Sequence, residues 1–119
     1  MRWEIRIADE AGKEYRKLEG SARRQVLAGI LKVSHAPLPS PDGYGKPLGN
    51  KNGNDLTGFF KIKYRGIGIR VVYTLNMEKY LMNIVVISQR DDKLCYELAG
   101  KMYEKYGDNI FSDMFDEFK

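Results

Sequence analysis

Three cations crowd one stretch, Gly58–Leu75 (GFFKIKYRGIGIRVVYTL): Lys61, Lys63 and Arg70. Successive strand residues point to opposite faces, so Lys61 and Lys63 share a face while Phe60, Ile62 and Tyr64 take the other. A two-residue turn centred on Gly66 and Ile67, with glycine first, sets Lys63 directly opposite Arg70. Like charges so placed destabilise a strand pair by a few tenths up to about 1 kcal/mol. Long cationic chains can splay apart on a solvated face, and an exposed lysine is the norm. Two further residues favour chemistry over solvation. Arg90 stands just past the last strand-like run, and Tyr96 follows six residues later on a helix, off the centre of its apolar stripe. Cations stabilise charge on the non-bridging oxygens of a phosphodiester, and a tyrosine ring stacks on a base. Arg65, Gln89 and Lys93 flank the set as RNA-binding candidates.

The elements that position these residues follow from periodicity. Trp3 to Ala8 (WEIRIA) alternates like a half-buried strand. Asp9 reads as a helix cap, with Ala11, Tyr15 and Leu18 at helical spacing; Gly20 ends that helix and Ser21 caps the next. Val26, Leu27, Ile30 and Val33 (or Leu31) make the second helix's apolar face, and Pro37 stops it. All four prolines lie within residues 36–56, which read as one long loop. Three strand-like runs follow, 57–64, 67–75 and 80–88, the last uniformly apolar as a central strand requires. Asp91 or Asp92 caps a final helix carrying Leu94, Cys95, Leu98, Ala99 and Met102, and Gly107 ends it. The order β-α-α-β-β-β-α predicts a single α+β domain: a four-stranded, mainly antiparallel sheet with helices packed on it. Residues 1–107 form this domain and 108–119 an acidic, aromatic extension. In that extension Phe111, Met114, Phe115 and Phe118 recur at the spacing of an amphipathic helix, with packing on the chain's own body as the favoured role.

Composition narrows the partners. The 119 residues carry a net charge of +4, but the last twelve hold four acids and one lysine, a net of −3, so residues 1–107 carry +7. A basic body of this size suits a polyanion, nucleic acid first. No apolar run approaches the roughly 20 residues that span a bilayer, so no membrane partner is expected. The charged N-terminus is not a signal peptide, and one cysteine excludes an internal disulfide framework; a cytoplasmic location is expected. His35 falls where a helix C-cap belongs, Cys95 on an apolar face, and Trp3 at the opening of a strand; each reads as structural. GYGKPLGNKNG lacks the strand, helix and GK[ST] ending of a phosphate-binding loop.

LTGFFKIKYRGIGIRVVYTL followed by VVISQRDDKLCYELA resembles the RelE/ParE superfamily of bacterial type II toxins, specifically the RelE-like messenger-RNA interferases. The resemblance runs from Trp3 to about Tyr106, is most specific over 56–99, and extends to PLGN at 47–50. It implies an active site of Lys61 and Lys63 in a K-x-K strand, Arg70 in R-x-V-Y, Arg90 and Tyr96. It also implies ribosome-dependent cleavage of messenger RNA in the ribosomal A site by attack of the RNA's own 2′-hydroxyl, without metal or cofactor. In that scheme Lys63 is the general base, Lys61 and Arg70 stabilise the phosphorane-like charge, Arg90 serves the leaving 5′-oxygen and Tyr96 orients the base. The partners implied are a cognate antitoxin, messenger RNA and the ribosome with its 16S rRNA. ParE-like gyrase inhibitors generally lack this residue set; they, or a non-catalytic nucleic-acid-binding relative, are the alternatives. Gln89 departs from the family's frequently basic position, and Asp91 and Asp92 either lower the local potential or only cap the helix.

Overall fold

Leu81–Gln89 (LMNIVVISQ) is buried at every position but its last. A strand buried on both faces belongs mid-sheet under two covering layers, and the computed structural model shows that arrangement. The structure describes residues 2–51, 54–89 and 92–118. The elements run β1 (Glu4–Ile7), α1 (Asp9–Lys17), α2 (Gly20–Ser34), β2 (Lys46–Lys51), β3 (Asn54–Tyr64), β4 (Ile69–Asn76), β5 (Leu81–Gln89), α3 (Asp92–Tyr106) and β6 (Asp116–Glu117). Short 3₁₀ turns occupy Arg65–Ile67 and Gly107–Phe111. The strands form one sheet in the order β2-β3-β4-β5-β1-β6. β1 lies parallel to β5 and the remaining neighbours are antiparallel. The α+β domain expected from the sequence is therefore present, with six strands where four were expected.

Each sheet face has its own core. Ala11 and Leu18, with Val26, Ile30 and Val33 of α2, pack on Ile69, Val71, Tyr73 and Ile84. On the opposite face Cys95, Tyr96, Ala99 and Met102 of α3 pack on Phe59, Val72, Val85 and Val86. The pairs Val72↔Val86 and Tyr73↔Ile84 leave Val85 as an extra residue in β5. This bulge presents two successive valines to α3 and resets the alternation beyond it. Ser88 consequently arrives opposite Arg70, on the α3 side.

Three local expectations change. Asp9 is the first residue of α1 rather than its cap, a place where its charge still suits the helix dipole. Gly20 opens α2, and Glu19 caps it by accepting from the backbone N–H groups of Ser21 and Ala22. Residues 46–51, expected in the loop, form the edge strand β2. An edge strand tolerates a proline, which has no backbone donor, so the proline-rich composition disguised a strand.

The tail also departs from expectation. Instead of an amphipathic helix it makes the 3₁₀ turn and then β6 against β1. Tertiary partners claim its backbone: the Thr74 hydroxyl donates to Ile110 O at 2.6 Å, the Asn83 amide to Ser112 O at 3.0 Å, and Phe118 N–H to Ile5 O at 3.0 Å. The aromatic residues still pack on the body. Phe115 is buried, Phe111 meets Phe59 edge-on at 5.6 Å and Phe118 meets Tyr15 at 5.1 Å. Thr74→Val removes a short hydrogen bond in a fully buried position. It is expected to lower unfolding stability by about 1–2 kcal/mol, read as a lower urea midpoint at unchanged m-value.

Candidate functional site

β3 and β4 carry Lys63 and Arg70 into direct opposition. The connection is a 3₁₀ turn closed by Gly68 in the left-handed region (φ 67°), not a two-residue turn. The observed four-residue loop, 65–68, has the same centre as the expected 66–67 turn, so the register is unchanged. The left-handed position explains a glycine there.

The first residue of α3 answers the repulsion. Arg70 Nε donates to Asp92 Oδ1 at 2.9 Å, and the Lys63 and Lys61 ammoniums lie 3.7 and 3.8 Å from Oδ2. One carboxylate thus bridges three cations from two strands. The Arg70 hydrogen bond, with Lys61 and Lys63 behind it, holds the Asp92 carboxyl below the usual carboxylate range despite the opposing effect of burial. Tyr96 stands one helical turn further along α3. Lys61 Nζ donates to its hydroxyl at 2.9 Å and lies 5.2 Å from its ring centroid. The ring is 6% exposed and belongs to the α3 core. Off-stripe placement is therefore corrected: Tyr96 is a wall of the site that fixes Lys61, with its ring committed to packing.

Lys61, Lys63, Arg70 and Tyr96 are brought together as the sequence reading expects. Arg90 lies outside the described residues, as does Asp91. Arg65, Gln89 and Lys93 are exposed, on the turn, at the end of β5 and in the first turn of α3 respectively. Two residues of the cluster escaped the sequence reading in this role. From the sequence Asp92 reads as a cap or a drag on the local potential, although its i, i+4 spacing to Tyr96 places both on one helix face. Lys46 pairs directly opposite Lys61, a placement that depends on β2. Cys95 is buried, which pushes its thiol up to about 11 and makes it a packing residue.

Fold and site define a class first: a three-layer α+β domain whose sheet presents a cationic cluster gathered on one carboxylate beside a buried tyrosine. The chain is 28% identical over 102 residues to a RelE-like toxin protein of Escherichia coli, covering 85% of this chain and 97% of that one. It is 27% identical over 104 residues to the mRNA interferase toxin RelE of Escherichia coli K12, with the same coverage. Its fold matches a chain of the intact Escherichia coli RelBE toxin–antitoxin complex with a TM-score of 0.58 at 24% identity, over 75% of this chain and 98% of that one. No family model matches the chain. In sequence and in fold the chain is similar to the RelE-like toxins.

Asp92→Asn leaves three cations without their shared anion. The variant is expected to be less stable at pH 7 by about 1 kcal/mol, the upper range for a partly exposed pair. A carboxylate with a depressed folded value contributes stability that is full above its unfolded value, about 4, and is lost as pH falls through the folded value. The difference between wild type and variant should therefore close below about pH 4, as thermal unfolding from pH 7 to pH 2 would show.

Proposed function

We propose that this RelE-like toxin is a ribosome-dependent endoribonuclease that cleaves messenger RNA in the A site and is held inactive by a cognate antitoxin. The observation that carries the reading is the convergence of Lys61, Lys63 and Arg70 on a single carboxylate. A site that grips one anionic group through three cations is suited to a phosphodiester, whose non-bridging oxygens present comparable charge. Similarity to a protein named mRNA interferase and to one solved with its antitoxin supports the choice of substrate and partner.

In the reaction the 2′-hydroxyl attacks the adjacent phosphorus. A P–O2′ bond forms and the P–O5′ bond breaks, leaving a 2′,3′-cyclic phosphate and a 5′-oxygen that takes a proton from water to become the 5′-hydroxyl end. Lys63 is assigned the general base that takes the 2′-hydroxyl proton. Arg70 and Lys61 stabilise the charge that grows on the equatorial oxygens, where fixed donors act most strongly. Arg90 serves the departing 5′-oxygen by stabilising its charge; an arginine is a poor proton donor. Tyr96 acts through Lys61, holding the ammonium in position. The Asp92 carboxylate vacates the cation cluster as the phosphate enters.

Lys63→Ala and Arg90→Ala are each expected to reduce cleavage by at least about 10²-fold. Messenger 5′ ends mapped by primer extension in a bacterial host, with translation running and blocked, provide the measurement. New ends within codons, from wild type alone and only during translation, are the expected result. Full cleavage by both variants would overturn the role assignments. Growth arrest without new RNA ends would redirect the function to another target such as gyrase.

A further inference from the structure

Tyr96 is buried, which leaves the cluster without an aromatic face of its own for a base. A second tyrosine stands nearby in the opposite state. Tyr44 is 50% exposed, in the segment between α2 and β2. Its neighbours hold it there. A side chain on Gly43 would overlap the Ala36 carbonyl, and one on Gly45 would lie 2.8 Å from Pro37 O and 3.0 Å from the Tyr73 hydroxyl. Tyr44 N–H donates to Ala36 O at 2.8 Å and Gly45 N–H to Leu38 O at 2.9 Å. The fully buried Tyr73 pins the same loop, donating to Pro37 O at 2.8 Å. The segment is thus closed on itself and presents one large ring to solvent.

The surroundings of that ring are cationic. Lys32 of α2 sits over it, with Nζ 5.1 Å from the centroid. Lys46 pairs across the sheet with Lys61. Lys32, Tyr44, Lys46, Lys61, Lys63 and Tyr64 line one groove of about 300 Å³, with no carboxylate among its described lining residues. β2 begins opposite Lys61, so β3 has no described β2 partner beyond that residue and the groove opens over its flank. Among the described residues, neither Lys32 nor Lys46 has an acidic partner within ion-pair distance. A basic track with an aromatic platform is the arrangement that grips single-stranded nucleic acid, through backbone charge and base stacking.

We infer that this groove is a binding site for single-stranded RNA next to the scissile phosphate, in which Tyr44 stacks on a base and Lys32 and Lys46 hold the neighbouring phosphates. The inference rests on the reading of RNA as the substrate and adds a strand path to it. The path leaves the Asp92 cluster at Lys61 and Lys63, crosses Lys46 and ends on Tyr44. Lys32 Nζ, 5.1 Å from the Tyr44 centroid, adds a cation–π contact on one side of the ring.

The test uses a fluorescent ten-nucleotide single strand with 2′-O-methyl groups throughout, which cannot be cut by 2′-hydroxyl attack. Binding is followed by anisotropy at two salt concentrations, together with a strand carrying 2-aminopurine at successive positions. Wild type is expected to bind it more tightly than the corresponding duplex and to quench 2-aminopurine at one position. Tyr44→Ala should weaken binding about tenfold and abolish the quench, while Tyr44→Phe retains both. Lys32→Gln and Lys46→Gln should each weaken binding and reduce the salt slope. Unchanged affinity in Tyr44→Ala, absence of quenching, or equal loss in Tyr44→Phe would overturn the inference. Because the strand is uncleavable, Tyr44-dependent binding and the cleavage assay fail independently: loss of cleavage with the groove intact rejects the nuclease, and cleavage without Tyr44-dependent binding rejects the groove.

Discussion

The bond between Arg70 and Asp92 is the interaction on which the cluster depends. Antiparallel pairing of β3 with β4 forces Lys63 against Arg70, an arrangement that two strands alone would disfavour. Asp92 enters from a different layer and converts the repulsion into a three-cation bridge. A counter-charge supplied from outside the sheet offsets the cost of placing like charges together. In this structure that group is the first residue of α3.

That dependence makes the docking of α3 part of the site. Asp92 and Tyr96 occupy one helix face, and the same helix is anchored by Cys95, Ala99 and Met102 in the core. The β5 bulge at Val85 presents both Val85 and Val86 to this helix and brings Ser88 into phase with Arg70. The tail completes the layer. Ile110 and Phe115 are buried beneath it, and Thr74 and Asn83 reach from the sheet to hold its backbone. β6 also covers the outer edge of β1, an exposed strand edge being a template for unwanted pairing.

Tyr96 and Tyr44 show how context divides one residue type between roles. Tyr96 lies in the core, its hydroxyl left for Lys61. Tyr44 is held in solvent by a loop whose glycines allow close backbone packing. Either residue, by composition alone, reads as an aromatic candidate beside basic residues. Burial decides which ring can meet a base.

The sequence by itself determined the α+β class, the hairpin register and the grouping of Lys61, Lys63 and Arg70, because strand alternation and turn geometry are local rules. It also made β5 central, since a uniformly apolar run needs cover on both faces. Tertiary structure alone decided the rest. β2 was hidden in a proline-rich stretch because edge strands tolerate what interior strands do not. The tail's aromatic spacing suited a helix, but the sheet offered its backbone better partners than a helix could. Asp92 could be placed near the last helix's start from sequence, but its three cationic partners come from strands some twenty to thirty residues away. Such distances are closed only by packing α3 on the sheet, which is why the anion at the centre of the site was not legible in the chain.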